Sequence, residues 1–537
     1  MFTLPRIAEY IVLSLALAAL MPLCSFKMLG ALQQAGYDGK TFSAWAKRKG
    51  NMVYSRLTLL AFLIALSGAV LAVCFTFTGR WAAYISLIPI PLFVGVYCYA
   101  DKRALKVPLS GTRRAQRIYA LETIAVFIAA AILVLCGNAA AYYADVALVT
   151  ALRYLPLALL PVLLPLLLRA ANRLDRPFSE RKNAKFVASA RAKLSASRCV
   201  KIGITGSFGK TSVKNMLADI LSVRWKVLKT PASFNTPLGI ARTVAENDLN
   251  DYEFFIAEMG ARHAGDIREL CDLVRPDHCI LTGICPQHLE TFGSIGAIVA
   301  EKGEILSGTK EGGFAVIGKD DFTASLDASR LVRVDVGERC EVSVSDVFAG
   351  ADGVSFKLAL GAIEVPLHTK LLGGHNAANI ALAAALAYRL GMTKEEIAEG
   401  VERIGYIPHR LCPSRSGGVT ILDDSYNANV RGAEEAVKVL RTFGGRKFVV
   451  TPGLVELGVL EEEANEALGK NLVGLDRVIL VGATLVQCVK RGYLAAGGTE
   501  EALVVVPTLA KAQEILSAEL AEGDTVLFLN DLPDIYN

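Results

Sequence analysis

None of the eleven cysteines forms a C-x-x-C pair, and only six histidines occur in 537 residues. Neither a disulfide framework nor a zinc site is expected, and the thiols read as buried or free in a reducing compartment. Internal repeats and low-complexity tracts are absent. Charged residues are scarce, at 20%, against 53% hydrophobic, which excludes a disordered or fibrous chain. The basic excess is small (57 − 52 = 5), and the basic residues cluster beside apolar runs, so no nucleic-acid partner is expected. The length implies about three or four structural units.

The first third holds what a soluble enzyme lacks. Residues 57–79, 81–100 and 123–144 contain no charge, and each run is about the 20 residues that cross a bilayer. Residues 7–26 form a fourth run with Glu9 near one end. Residues 146–168 form a fifth, interrupted by Arg153, Pro156, Pro161 and Pro165. The first run lacks a basic flank and a small-residue cleavage site, so it does not read as a removable signal. Lys27, Lys40, Lys47, Arg48, Lys49 and Arg56 fill one loop; Lys102, Arg103, Lys106, Arg113, Arg114 and Arg117 fill another. Arg169, Arg173, Arg176, Arg181, Lys182 and Lys185 follow the fifth run, while the alternate connections hold only Arg80. Positive residues stay on the cytoplasmic side. Five spans therefore place the N-terminus outside and the chain beyond about 169 in the cytoplasm. The expected location is the cytoplasmic membrane, multi-pass. The basic tract after 169 reads as a cytoplasmic linker held by anionic membrane lipids.

From residue 199, apolar strands (200–204, 254–257, 279–281, 419–422, 448–450, 478–481, 503–506, 525–529) alternate with helical patterns such as 377–390 and 432–440. That rhythm predicts parallel sheets flanked by helices. A β-rich patch near 313–368 reads as antiparallel, and Gly405, Pro408 and Pro413 mark a boundary near 405–412.

Strand 200–204 runs into Thr205-Gly206-Ser207-Phe208-Gly209-Lys210-Thr211-Ser212 and then a helix. Glycines let backbone N–H groups curl around phosphate oxygens, and the helix N-terminus adds its dipole. Lys210 would neutralise the terminal phosphates, and the Thr211 hydroxyl would bind Mg²⁺. The common phosphate-loop spacing asks for Gly where Ile204 stands, so this loop is of a shorter kind.

T-G-S-F-G-K-T-S resembles the phosphate loop of the Mur ligases, the ATP-dependent amino-acid and peptide ligases of peptidoglycan synthesis. Further matching segments are Asn235–Gly239, Ala257–Gly260, His288–Ser294, Glu301–Ile305, Gly374–Asn379 and Asp423–Asn429. Together they cover roughly 200–465 and are most similar to the branch that adds D-alanyl-D-alanine to UDP-N-acetylmuramoyl-tripeptide. The implied architecture is multi-domain: an α-helical transmembrane domain (1–170), a basic linker (171–198), a central α/β P-loop ATP-binding domain (199–409) and a smaller C-terminal α/β domain (410–537).

The resemblance also assigns residues. Thr205 to Ser212, Asn376, Asn379, Arg410 and Asp424 would bind ATP. Thr211, Glu258, His288 and a carbamylated Lys302 would hold Mg²⁺. Lys210, Lys302 and His288 would be catalytic, and Asn235 and Thr236 would meet the carboxyl substrate. By pattern alone Glu258 ends a strand as a sheet-edge ligand or a turn cap, His288 is a lone loop histidine, and Lys302 is a solvated helix lysine.

Three departures stand out. Membrane spans occupy the place of the UDP-sugar-binding domain. The usual Lys-Gly-Ser-Arg segment near the C-terminus is missing, with no Lys or Arg after Lys511. His409-Arg410 replaces the usual Gly-Arg. The leading expectation is an ATP-dependent amide ligase working through an acyl phosphate. Its substrates would be a small-molecule or lipid-linked carboxylate and an amino acid or dipeptide, with cell-wall synthesis proteins as partners. A ligase for a lipid-linked or poly-γ-glutamate-like carboxylate, and a non-catalytic membrane nucleotide-binding scaffold, are the alternatives.

Overall fold

The apolar runs of the first third are helices in the computed structural model, which describes residues 4–47, 53–101, 109–144, 146–286, 289–426, 430–455, 457, 460–482 and 485–530. Helix satisfies every backbone group within its own segment, which an apolar run needs in hydrocarbon. Among the described residues, five helical stretches are long and apolar enough to cross a membrane: Leu4–Gln34, Ser55–Cys74, Trp81–Ala100, Arg113–Ala144 and Leu155–Ala196. The first is broken by a 3-10 turn, Met21–Ser25, at whose start Pro22 withholds a backbone donor. Among the described residues, those up to Lys182 form one compact unit and those from Asn183 to Asn530 another.

In the first unit Met28, Leu32, Leu57, Ile118 and Leu157 are fully enclosed, whereas Phe62, Leu66, Leu92, Ile128 and Ile132 face outward. Outward leucines and isoleucines on charge-free stretches of these helices suit a lipid surround. The charges that interrupt two of the runs meet each other. Arg153 lies 3.9 Å from Glu9, and the Tyr154 hydroxyl donates to the same carboxylate. A Cβ on Gly137 would stand 1.8 Å from the Arg153 carbonyl oxygen, so that helix contact needs glycine. The basic tract expected as a linker is helical, the continuation of Leu160–Ala196.

The second unit carries two sheets. In chain order the strands of the first are β1 (Val200–Thr205), β2 (Val227–Lys229), β3 (Phe254–Glu258), β4 (His278–Leu281), β5 (Phe314–Gly318), β6 (Val332–Val336), β7 (Val342–Gly350), β8 (Gly353–Leu360) and β9 (Ile363–Thr369). Those of the second are β10 (Cys412–Ser416), β11 (Val419–Asp424), β12 (Lys447–Thr451), β13 (Arg477–Val481), β14 (Leu503–Val506) and β15 (Thr525–Leu529). Their orders are β2-β3-β1-β4-β5-β6-β7-β8-β9 and β10-β11-β15-β12-β13-β14. β3 is buried along its whole length, as a parallel strand covered on both faces should be.

The antiparallel expectation for 313–368 holds for β7, β8 and β9 only. β5 and β6 run parallel to β4 and to each other, because each follows a crossover rather than a hairpin. In the first sheet the chain leaves β1 toward β2 and β3 on one side and then crosses to β4 on the other. Such a reversal opens a crevice at the carboxyl ends of the strands, where ligands of open α/β sheets bind.

Candidate active site

β1 delivers the phosphate loop to that crevice. Gly206 holds φ +146, and a Cβ there would lie 2.0 Å from the Thr282 hydroxyl oxygen. Gly209 holds φ +72, and a Cβ would lie 2.7 Å from Asn379 Oδ1. The loop is therefore pressed against the segment after β4 and against the helix His375–Arg389. Ser207 N–H donates to the Gly283 carbonyl at 2.8 Å, and the Thr282 hydroxyl donates to the Phe208 carbonyl. Helix Lys210–Leu221 starts at the loop's end, so its first N–H groups and its dipole face the crevice.

Lys210 Nζ donates to Gly206 O at 2.8 Å. Burial pulls its ammonium below the ordinary lysine range, the Glu258 charge opposes that, and Arg410 adds to it. Register sets Glu258, the last residue of β3, beside Ile204, one residue before the loop. Glu258 is almost fully enclosed. Its Oε1 accepts from Asn235 Nδ2 at 3.2 Å and its Oε2 from Lys214 Nζ at 3.1 Å.

Lys302 lies on helix Ile295–Gly308, buried, and makes no hydrogen bond or ion pair among the described residues. Burial first, then the Lys210 charge, bring its ammonium down to about 7. Its neighbour Glu301 is spent elsewhere, accepting from Gly265 N and Ile267 N at 2.7 Å each. His288 lies outside the described residues.

Two cavities meet at this loop. The larger, about 710 Å³, is lined by Phe208, Gly209, Thr211, Asn376, Asn379, Arg410 and Asp424 among others. The smaller, about 310 Å³, is lined by Lys210, Thr211, Asn235, Thr236, Glu258, Arg262, His263, Arg410 and Tyr426 among others. Thr211 and Arg410 face both. Arg410 Nη1 donates to the Tyr426 carbonyl at 2.9 Å, and its guanidinium lies 4.7 Å from that ring's centre.

Several expected residues turn out to be engaged in the fold. The Thr205 hydroxyl donates to the Met259 carbonyl at 2.9 Å, and the Ser207 hydroxyl donates to the Cys285 carbonyl at 3.2 Å. Thr236 caps helix Pro237–Glu246, and Asn376 Nδ2 donates to the Leu372 carbonyl at 2.8 Å. Asp424 Oδ1 accepts from Leu411 N at 3.2 Å, and burial raises its carboxyl to about 6. His409 adopts φ +60, the left-handed conformation that glycine takes without cost. Its imidazole is held 2.8 Å from Asp423 Oδ2.

Lys214 is a functional residue that the sequence does not mark. A lysine one helical turn past Lys210 carries no mark of burial; only the three-dimensional approach of β3 reveals its partner.

The donor set suits a divalent ion. A hydroxyl, Thr211, and a carboxylate, Glu258, line one cavity with Lys210, and the buried Lys302 amine stands near enough for the Lys210 charge to act on it.

Comparison with known proteins follows the same segments. Residues 204–387 match the Mur ligase middle domain, and residues 409–530 match the Mur ligase glutamate ligase domain. The UDP-N-acetylmuramoyl-tripeptide–D-alanyl-D-alanine ligase of Escherichia coli is 32% identical over 290 residues, 52% of this chain and 64% of its own length. The Mycobacterium leprae protein of that name is 31% identical over 381 residues, 64% of this chain and 73% of its own. Against the E. coli relative, then, the chain spans less than two thirds of the length. Among solved structures, MurF from Acinetobacter baumannii superposes with a TM-score of 0.59 at 26% identity, covering 66% of this chain and 78% of that one. MurF ligase from Thermotoga maritima in complex with ADP gives 0.59 at 26%, covering 66% and 81%.

Proposed function

Since the chain belongs to the Mur ligase family, we propose that it is an ATP-dependent amide-bond-forming ligase that joins D-alanyl-D-alanine to UDP-N-acetylmuramoyl-tripeptide. The observation that carries this is the meeting of Lys210, Thr211, Glu258 and Arg410 around one cavity next to a nucleotide-sized one. An ADP complex among the structural relatives supports the nucleotide.

The larger cavity takes the nucleoside and the smaller takes the acceptor carboxylate, with the terminal phosphate at Lys210 between them. The loop N–H groups and Lys210 stabilise charge on the γ-phosphoryl group, and Arg410 approaches from the C-terminal sheet. A substrate carboxylate oxygen attacks the γ-phosphorus, the bond to the β–γ bridging oxygen breaks, and ADP leaves. The amine then attacks the acyl carbon, phosphate departs with the bonding pair, and the amine loses a proton. Thr211, Glu258 and a carbamylated Lys302 would hold Mg²⁺, which when bound supplies neutralisation of phosphate charge. Carbamylation requires a neutral amine, and the lowered ammonium of Lys302 provides one near pH 7. Holding both substrates beside the loop supplies effective concentration. The catalytic unit would work on the cytoplasmic side of a membrane crossed by the five apolar helices.

Those helices favour one further reading, a ligase of the same chemistry acting on a lipid-linked carboxylate. Detergent-purified protein is given ATP, Mg²⁺, D-alanyl-D-alanine and either UDP-N-acetylmuramoyl-tripeptide or its polyprenyl-linked counterpart. Amide product and ADP in equal amounts with the UDP substrate are expected. Product only with the lipid-linked substrate would replace the first reading with the second. Product with neither, at full Mg-ATP occupancy, would sink both.

A further inference from the structure

Glu258 has a partner that the reaction scheme does not use. Lys214 is fully buried at 0% exposure, and Glu258 is at 1%. Lys214 Nζ lies 3.1 Å from Glu258 Oε2 and also donates to the Ala232 carbonyl. Ala232 itself holds φ +44, an uncommon conformation for a residue with a Cβ. The segment before Asn235 is thus tied down over β3. Glu258 N–H donates to the Thr230 hydroxyl at 3.2 Å, and Asn235 O accepts from Gly260 N at 2.9 Å.

The two carboxylate oxygens are not equivalent. Oε2 is held by a buried ammonium, a charge-assisted bond of the stronger kind. Oε1 is covered by the Asn235 amide at 3.2 Å, a neutral donor on a residue that lines the smaller cavity. A cation entering from that cavity therefore meets Oε1 and has only a neutral amide to displace. A buried carboxylate with no partner is strongly destabilising, so Glu258 needs a cation at all times.

We propose that Lys214 is the resident counter-ion of Glu258, a positioning residue. It holds the carboxylate in its metal-ready orientation when no divalent ion is bound. Because it already cancels the carboxylate charge, it also makes divalent-ion binding depend on the phosphates of the nucleotide. The ion then arrives with the triphosphate and not before it, and its arrival frees the Asn235 amide toward the acceptor substrate. The inference rests on the ligase reading, in which Glu258 holds Mg²⁺.

Full-length protein in detergent is titrated with Mn²⁺, followed by electron paramagnetic resonance of the free ion and by melting temperature. Without nucleotide, K214M is expected to bind Mn²⁺ at least about 10-fold more tightly than the parent, since a unit charge about 3 Å from the ligand oxygen is removed. K214M is expected to melt lower than the parent and to recover with Mn²⁺, while the nucleotide-free parent does not respond. K214R should behave as the parent. If K214M is unfolded as purified, Mn²⁺ must restore its folding. K214M/E258Q, with both charges gone, should fold and show no Mn²⁺ response. Mn²⁺ affinity in K214M equal to that of the parent, or melting indifferent to Mn²⁺, overturns the proposal. Failure of the underlying reading is seen separately: E258Q would then bind Mn²⁺ together with a non-hydrolysable ATP analogue as well as the parent does.

Discussion

Lys302 shows what a folded environment does to an ordinary side chain. On a helix surface it would stay an ammonium far above neutral pH. Enclosed on Ile295–Gly308, it is brought down to about 7, by burial first and then by the Lys210 charge. The free amine is the form that captures CO₂, and its fraction grows as pH rises through that value. Protein stripped of CO₂ should therefore regain ADP formation on adding CO₂, half-maximally near pH 7 and fully by about pH 8. An amine at the usual lysine value would still be gaining at pH 9. K302A should lose activity about 100-fold or more and ignore CO₂. Recovery that keeps climbing beyond pH 9, or K302A at parental rates, would remove Lys302 from the scheme.

At this scale the sequence was readable where a residue type is rare for a chemical reason. Gly206 and Gly209 are such cases, since their φ values and close neighbours admit no side chain. It was mute where the role comes from a distant strand. Thr205 and Thr236 carry a second duty that their motifs do not show, one bonding Met259 and one capping a helix.

Among elements, the parallel strands were legible because burial on both faces writes a continuous apolar run. β3 and β4 come close to this, as FFIAE and HCIL, and β1 does so from Ile202 on. β2 was not, being three residues long with one buried side chain. β5 and β6 fell in a patch read as antiparallel, because a strand's residues do not state its partner's direction. Glycine spacing in helices was equally silent. Helices Glu461–Asn471 and Val486–Ala495 cross with backbones almost touching: a Cβ on Gly492 would lie 2.0 Å from Glu466 O, and one on Gly469 would lie 2.1 Å from Val489 O. G492A should force this pair apart and cost about 1–3 kcal/mol, as overpacking does elsewhere. Denaturant unfolding followed by a probe in the C-terminal sheet checks it; an unchanged midpoint would mean the helices re-seat freely.

Over the whole molecule, the mean hydropathy of +0.40 is an average over two unlike parts. Outward-facing residues such as Phe62 and Ile128 account for the apolar part, and the alternation of strand and helix accounts for the other. By the positive-inside rule, loop charges that alternate along the chain predict a start outside and a ligase unit within the cell. A short epitope attached ahead of Leu4 should be cut by protease added to intact cells, whereas one in the exposed Gly417–Gly418 turn should be cut only after lysis. Cleavage of both in intact cells, or of neither before lysis, would invert or abolish the five-span arrangement.

One small bond in the phosphate loop bears on turnover. The Lys210 ammonium is berthed on the Gly206 carbonyl of its own loop. When a diphosphate departs, that cation is not left stranded, since it has an internal mooring to swing back to. In the proposed reaction, product escape would be eased accordingly, and every incoming nucleotide would have to outbid the same mooring. A loop wired this way would trade grip for speed of exchange.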